Sequence, residues 1–259
     1  MADIAKLGGA IWTARNSGGS LARDAVAHTA ARNVSYRVQA AAADASGLTR
    51  AGWKVAATSA VAQELLGMDG PSIGPVFAEH IFRPGDTLVA RPEHGAAIEC
   101  EVAFEMAEDL GDDPVISMDD LLASTARALI AVELVGCRFE GGFKGSGISV
   151  CISDFSFNAA LVCGPEIIGW RDMDMSAIAA KITLNGVAGN TGTGAAVLGN
   201  PVHALQWAAV EAQSIGMPFR KGDIITTGTM TGVTPVNPGD SVVCDFGAIG
   251  QIPITFKAA

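Results

Sequence analysis

The chain has 259 residues, 49% of them hydrophobic and 17% charged, with a formal net charge of −10. That length can bury a substantial core, in one large domain or two small ones, and that composition excludes disorder. The acidic balance, with no run of Lys and Arg, excludes nucleic-acid binding and makes an anionic substrate depend on local Lys, Arg or metal charge.

In chain order, residues 1–50 are Ala-rich with helical spacing. One helix starts over Ile4 to Trp12; Val34 to Ala42 belongs to a second, with Asn33 or Ser35 as its candidate cap. Gly52 to Ala57 reads as a short strand, and Ser59 caps a helix that runs to Leu66 and closes at Gly67. From residue 76 short β-like runs alternate with Gly, Pro and Asp turns: Leu88–Ala90, Ile98–Met106, Phe155–Val162, Lys181–Leu184, Ile224–Thr227, Ser241–Phe246 and Ile252–Phe256. Helices are predicted at Met118–Leu134 and His203–Gly216, and Asn185-Gly186 marks a hairpin turn. The stretch Gly141–Gly147 is a flexible loop and a lid candidate by composition. This divides the chain into a helical N-terminal part, 1–75, and a β-rich catalytic part, 76–259, within one integrated domain.

Five cysteines, at 100, 137, 151, 163 and 244, are odd in number and match no zinc spacing. They read as reduced core residues of a cytoplasmic protein. The N-terminus lacks a secretory pattern, and no run of about 18 apolar residues occurs, so no membrane partner is expected.

The chemistry concentrates in three acids. Glu99 and Glu101 sit in the apolar run Ala97 to Phe104, where side chains two apart share a face of a strand. Glu133 lies in a second apolar run, Leu129 to Val135. An E-x-E on a strand is often the wet face of an antiparallel sheet. Here the same-face neighbours are only Ala97 and Ala103, with Ile98, Cys100, Val102 and Phe104 opposite, which suits a concave site. Buried carboxylates need neutralising, and hard oxygen ligands favour Mg²⁺ or Mn²⁺ over Zn²⁺.

The order and spacing of several motifs resemble the fumarylacetoacetate hydrolase superfamily, in its branch of 2-oxopent-4-enoate hydratases and 4-oxalocrotonate decarboxylases. They are Gly52-Trp53-Lys54-Val55-Ala56-Ala57-Thr58-Ser59, Leu66-Gly67-Met68-Asp69-Gly70-Pro71, Phe77-Ala78-Glu79, Ile98 to Ala103, Val132-Glu133-Leu134-Val135-Gly136, Gly192 to Pro201 and Gly222 to Gly228. The resemblance implies an α+β fold, a mixed β-sandwich roll with a helical N-terminal part. It implies Mg²⁺ or Mn²⁺ held by Glu99, Glu101 and Glu133, and a small 2-oxo acid that chelates the metal and passes through an enolate-like species. Lys54 matches a lysine beside that site. Burial should lower its pKa and ease proton transfer, with Glu79 as its partner. Thr229, Thr231, Asn158 and Leu198 fall where substrate-binding groups are expected.

The chain departs from the branch where relatives carry Asp-Asn-Ala-Ser, having Phe157-Asn158-Ala159-Ala160, and has Asn200 where a His is common. An altered pocket wall is therefore expected. His28, His80, His94 and His203 are the only histidines, and none matches the His of the superfamily's hydrolases. That favours a lysine-assisted hydratase in aromatic-compound catabolism over three alternatives: a vinylogous 2-oxo acid decarboxylase, an acylpyruvate hydrolase, and a catalytically silent assembly partner. A homo-oligomer is expected of so apolar a chain.

Overall fold

The computed structural model describes residues 4–29, 31–111 and 116–259. The chain runs α1 (Ile4–Ser17), α2 (Arg32–Ser46), β1 (Arg50–Ala56), α3 (Ala60–Leu66), β2 (Ser72–Phe77), β3 (Ile81–Phe82), β4 (Thr87–Val89) and β5 (Ala97–Met106). It continues through α4 (Met118–Ala123), β6 (Thr125–Val135), α5 (Gly147–Ser153), β7 (Asn158–Glu166), β8 (Ala179–Leu184), β9 (Val187–Thr193) and α6 (Pro201–Ser214). It closes with β10 (Ile224–Thr226), β11 (Thr234–Pro235), β12 (Ser241–Asp245) and β13 (Gln251–Lys257).

The larger sheet has the order β2-β1-β10-β5-β6-β7-β3, with β11 also on β5. β2 and β3 lie at opposite ends of that order, yet only Ala78–His80 separates them in sequence. Four chain steps span at most roughly 14 Å, so the sheet must curl until its two edges approach. This is the mixed roll expected from the sequence. The smaller sheet, β4-β13-β12-β8-β9, packs on its outer face. Ile98, Cys100, Val102 and Phe104 of β5 meet Ile182, Val242, Ile252 and Phe256 there, in one core shared with the Ala204, Leu205, Ala208 and Ala212 side of α6. The concave face holds a smaller set of Val76, Ala103, Leu129, Ala131 and Leu161.

β1 and β2 belong to the same sheet as the later strands, so the wholly helical N-terminal region ends with α2. Three local expectations are corrected. The predicted helix 118–134 is a helix only to Ala123, after which Thr125–Val135 pairs along its length with β5 and β7. The sheet contacts on both sides override the helical preference of an Ala- and Leu-rich run. The strand expected from Phe155 starts at Asn158, because Phe155, Ser156 and Phe157 all adopt left-handed backbone (φ 57, 49 and 68). The second helix starts at Arg32 after Ala31, which offers no side-chain cap, so neither Asn33 nor Ser35 is its cap. Ser59 and Gly67 close the two ends of α3 as expected, and the Asn185-Gly186 hairpin joins β8 to β9. Among the described residues no helix is long and apolar enough to cross a membrane.

Candidate active site

The three acids meet through strand register. Glu99 and Glu133 are directly opposite each other on β5 and β6, and Glu101 lies two residues along the same face. Like charges in opposed positions are destabilising unless something compensates them. One oxygen of each carboxylate lies within 4.8 Å of the others, and all three residues are at least nine-tenths buried. Glu101 Oε2 accepts a hydrogen bond from the Gly228 N–H at 2.9 Å, whereas Glu101 Oε1 has no partner among the described residues. Gly228 has φ 99, and a Cβ there would collide with the Thr58 side chain, so the close approach needs glycine.

Lys54 supplies partial compensation. Its Nζ lies 3.0 Å from Glu133 Oε2 and donates to the Ser156 carbonyl at 2.8 Å. Fully ionised, the three carboxylates and one ammonium carry two net negative charges, which one divalent cation would balance. With an unpartnered buried oxygen and an all-oxygen donor set, Glu99, Glu101 and Glu133 fit Mg²⁺ or Mn²⁺.

The electrostatics follow from this crowding. Burial pushes the Glu99 carboxyl up to about 7, with Glu133 adding to the shift and Lys54 and the Thr229 hydroxyl opposing it. Burial, then Glu133 and Glu99, pushes Glu101 up in the same direction. For Lys54 the expectation of a lowered pKa is not met in the metal-free chain: burial pulls it down, but Glu133, Glu99 and Glu101 together outweigh burial and raise it.

A narrow cavity of about 80 Å³ opens onto Lys54, Glu99, Thr229 and Thr58, with Phe143 and Phe157 among its apolar walls. Asn158 reaches the acids from β7, donating from Nδ2 to Glu133 Oε1 at 2.8 Å. Thr231 is turned to the backbone, where its hydroxyl donates to the Gly232 carbonyl and accepts from the Cys100 N–H. Leu198 does not line the cavity; it braces the wall, its N–H donating to the Thr58 carbonyl at 2.9 Å. Glu79 is not brought to the site. It is exposed, and its carboxylate faces the Thr49 N–H, so the expected Lys54–Glu79 pair is replaced by Lys54–Glu133. The reason is position: Glu79 follows the end of β2, beyond the strand face that Lys54 occupies on β1. Asn200, where relatives often have His, caps α6 by accepting from the Val202 N–H at 3.0 Å.

Several residues of this arrangement carried no sequence signal. The left-handed Phe155-Ser156-Phe157 run aims the Ser156 carbonyl at Lys54. It is held by a hydroxyl pair between Ser72 and Ser156 at 2.9 Å, and by the absence of a Cβ at Gly74, which would collide with the Phe155 carbonyl. A buried Arg138–Asp154 pair at 2.6 Å fixes its start. The Gly141–Gly147 loop delivers Phe143 to the cavity wall, edge-on to Phe157 with ring centroids 5.1 Å apart. Arg23 gathers that loop by donating to the carbonyls of Glu140, Gly142, Lys144 and Gly145 at 2.8–3.1 Å.

Comparison with known proteins agrees with this fold. The 2-keto-4-pentenoate hydratase of Paraburkholderia xenovorans (strain LB400) is 29% identical over 208 residues, 80% of this chain and 76% of its own length. The 2-oxo-hept-4-ene-1,7-dioate hydratase of Escherichia coli is 28% identical over 216 residues, 82% of this chain and 80% of its own. The 4-oxalocrotonate decarboxylase from Pseudomonas putida G7, solved with magnesium and adipate, superposes with a TM-score of 0.86 at 22% identity, covering 98% of this chain and 97% of that one. Residues 77–257 match the fumarylacetoacetate (FAA) hydrolase C-terminal family, and the chain belongs to that family.

Proposed function

We propose that this chain is a divalent-metal-dependent hydro-lyase of the 2-oxopent-4-enoate hydratase type, acting on a small 2-oxo acid. The observation that carries the reading is the convergence of Glu99, Glu101 and Glu133 beside the buried Lys54. Relatives named as hydratases, at 28–29% identity over about four-fifths of the chain, support water addition as the reaction. Glu99, Glu101 and Glu133 would hold Mg²⁺ or Mn²⁺, which would supply Lewis acidity toward the 2-oxo acid.

The side chains of the protein do the remaining work. Lys54 holds a proton at Nζ and passes it to or from the substrate, the general acid–base role. The Ser156 carbonyl and Glu133 fix the direction of Nζ. Asn158 fixes Glu133 in turn, and Thr229 lines the cavity beside Glu99. Phe143, Phe157 and Leu65 exclude water from the apolar end of the substrate.

The test is the enzyme with Mg²⁺ and 2-oxo acids in deuterated solvent, followed by product analysis. Metal-dependent exchange at the carbon next to the oxo group, with water added to a 2-oxo-4-enoate, is expected. Release of carbon dioxide from a vinylogous 2-oxo acid, or cleavage of an acylpyruvate, would replace the hydratase reading with one of those activities. No exchange with any of them would leave only a silent assembly partner.

A further inference from the structure

Arg15 is a buried cation without an acidic partner of its own among the described residues. It is 7% exposed. Its hydrogen bonds go to neutral acceptors: the carbonyl of Asn158, the carbonyl of Ala159 at 2.7 Å and His80 Nδ1 at 3.1 Å. Asp154 and Glu133 pull on it only from a distance, since the first is paired with Arg138 and the second with Lys54. Burial, then Arg138, pushes the Arg15 pKa down to about 9. A buried charge left unpaired costs several kcal/mol, and the side chain borders a cavity of about 490 Å³.

The lining of that cavity is basic, with two of its cations already paired. His80, Arg91, His94, Arg138 and Lys257 line it with Arg15, Arg138 bound to Asp154 and Arg91 to Glu93; no Asp or Glu side chain lines it among the described residues, although Ala259 does. The rest of the wall is largely apolar, with Phe82, Leu88 and Leu134 contributing. It shares only Val135 with the cavity at Lys54. Burial and Arg15 push the His80 pKa down to about 4, so the ring is neutral near pH 7. Because Nδ1 accepts from Arg15, its proton sits on Nε2 as a second donor.

We infer that this cavity is a second ligand site that binds a small organic carboxylate, its head at Arg15 and His80 and its apolar body against Phe82, Leu88 and Leu134. A guanidinium has five N–H donors, and three of those on Arg15 already serve protein acceptors. The two that remain, Nε–H and one N–H of Nη1, lie on different edges of the guanidinium, so a carboxylate would take one of them with one oxygen and the His80 Nε2–H with the other, and phosphate would leave the apolar wall uncovered. The inference does not depend on the reaction proposed for the other cavity.

The test is calorimetric titration of sodium hexanoate into the Glu101→Gln protein in buffer stripped of divalent metal, so that carboxylate cannot bind through a cation at the acids. Saturable binding with a dissociation constant of about 1 mM or below is expected, with hexanol silent and inorganic phosphate weaker. The imidazole signals of His80 and His94 should shift together in NMR spectra as hexanoate is added. Arg15→Met should abolish binding. Lys257→Glu, a change at an exposed residue that ends β13, should weaken it roughly tenfold by reversing a nearby charge, with a thermal melt to check that the fold is kept. Absence of saturable heat, equal affinity in Lys257→Glu, or histidine signals that do not move would overturn the inference. Phosphate binding more tightly than hexanoate would overturn the assignment to a carboxylate.

Discussion

Lys54 and Glu133 form a buried ion pair at 3.0 Å although β10 and β5 lie between their strands in the sheet. The pair therefore reaches across the concave face of the roll and ties the lysine to the acid cluster. Lys54→Met should cut turnover by about 10²–10⁴, the usual range for a general acid–base group. Metal affinity should hold or tighten, because a competing cation is gone. Deuterium exchange of a 2-oxo acid with a parallel Mn²⁺ titration checks both; exchange at the wild-type rate would make Lys54 structural.

Glu101→Gln should abolish Mg²⁺ binding and leave the metal-free protein as stable as wild type or more so. The glutamine oxygen can still accept from the Gly228 N–H, and repulsion from Glu99 and Glu133 is relieved. Thermal melts and calorimetry with Mg²⁺ measure the two effects; unchanged metal binding would refute the assignment of the acids.

Glu79→Gln should leave turnover within about twofold of wild type, as surface changes away from a site usually do. Its carboxylate faces the Thr49 N–H and not Lys54. A loss approaching that of Lys54→Met would restore it as the lysine's partner.

The Glu99 carboxyl, raised to about 7 from its ordinary value of 4.5, gives a signed pH dependence. A raised folded-state pKa stabilises below the unfolded value, and that contribution disappears as pH rises through the folded one. Metal-free protein should therefore lose on the order of 1–3 kcal/mol of this term between pH ~4.5 and ~7. His80 acts oppositely: its pKa is lowered to about 4, so its contribution disappears as pH falls from about 6.5 toward 4. Urea unfolding of wild type against Glu99→Gln across this range isolates the carboxyl. Curves that stay parallel would contradict the shift, and Mg²⁺ should remove the difference.

Arg23→Ala should raise KM severalfold while leaving metal affinity unchanged, because four carbonyls of the Phe143 loop lose their common donor. Steady-state kinetics and amide exchange over 140–145 report it; unaltered exchange there would mean that the loop is held by other contacts.

The acid cluster was legible because strand side chains repeat every two residues, so Glu99 and Glu101 had to share a face once Ile98 and Cys100 were placed in the core. The caps of α3 and the β8–β9 hairpin were legible for the same local reason: Ser59, Gly67 and Asn185-Gly186 act on their own neighbours. What escaped was non-local. Nothing within Ala123–Val135 tells a helix from a strand; pairing with β5 and β7 decides it. The backbone of Phe155–Phe157 is set by Gly74, Ser72 and Arg138–Asp154, and Lys54 found Glu133 only because the sheet curls.

The position of β10 bears on how the chain folds during synthesis. It is the strand between β1 and β5, yet it comes from residues 224–226, after nearly seven-eighths of the chain. As the ribosome extends the polypeptide, β1 and β5 emerge early and wait, each with an unpaired edge open to wrong partners. The Gly228 N–H that receives Glu101 arrives only with the segment after β10. Chains truncated before residue 224 should accumulate as soluble, open intermediates or aggregate, and should not form a native-like roll.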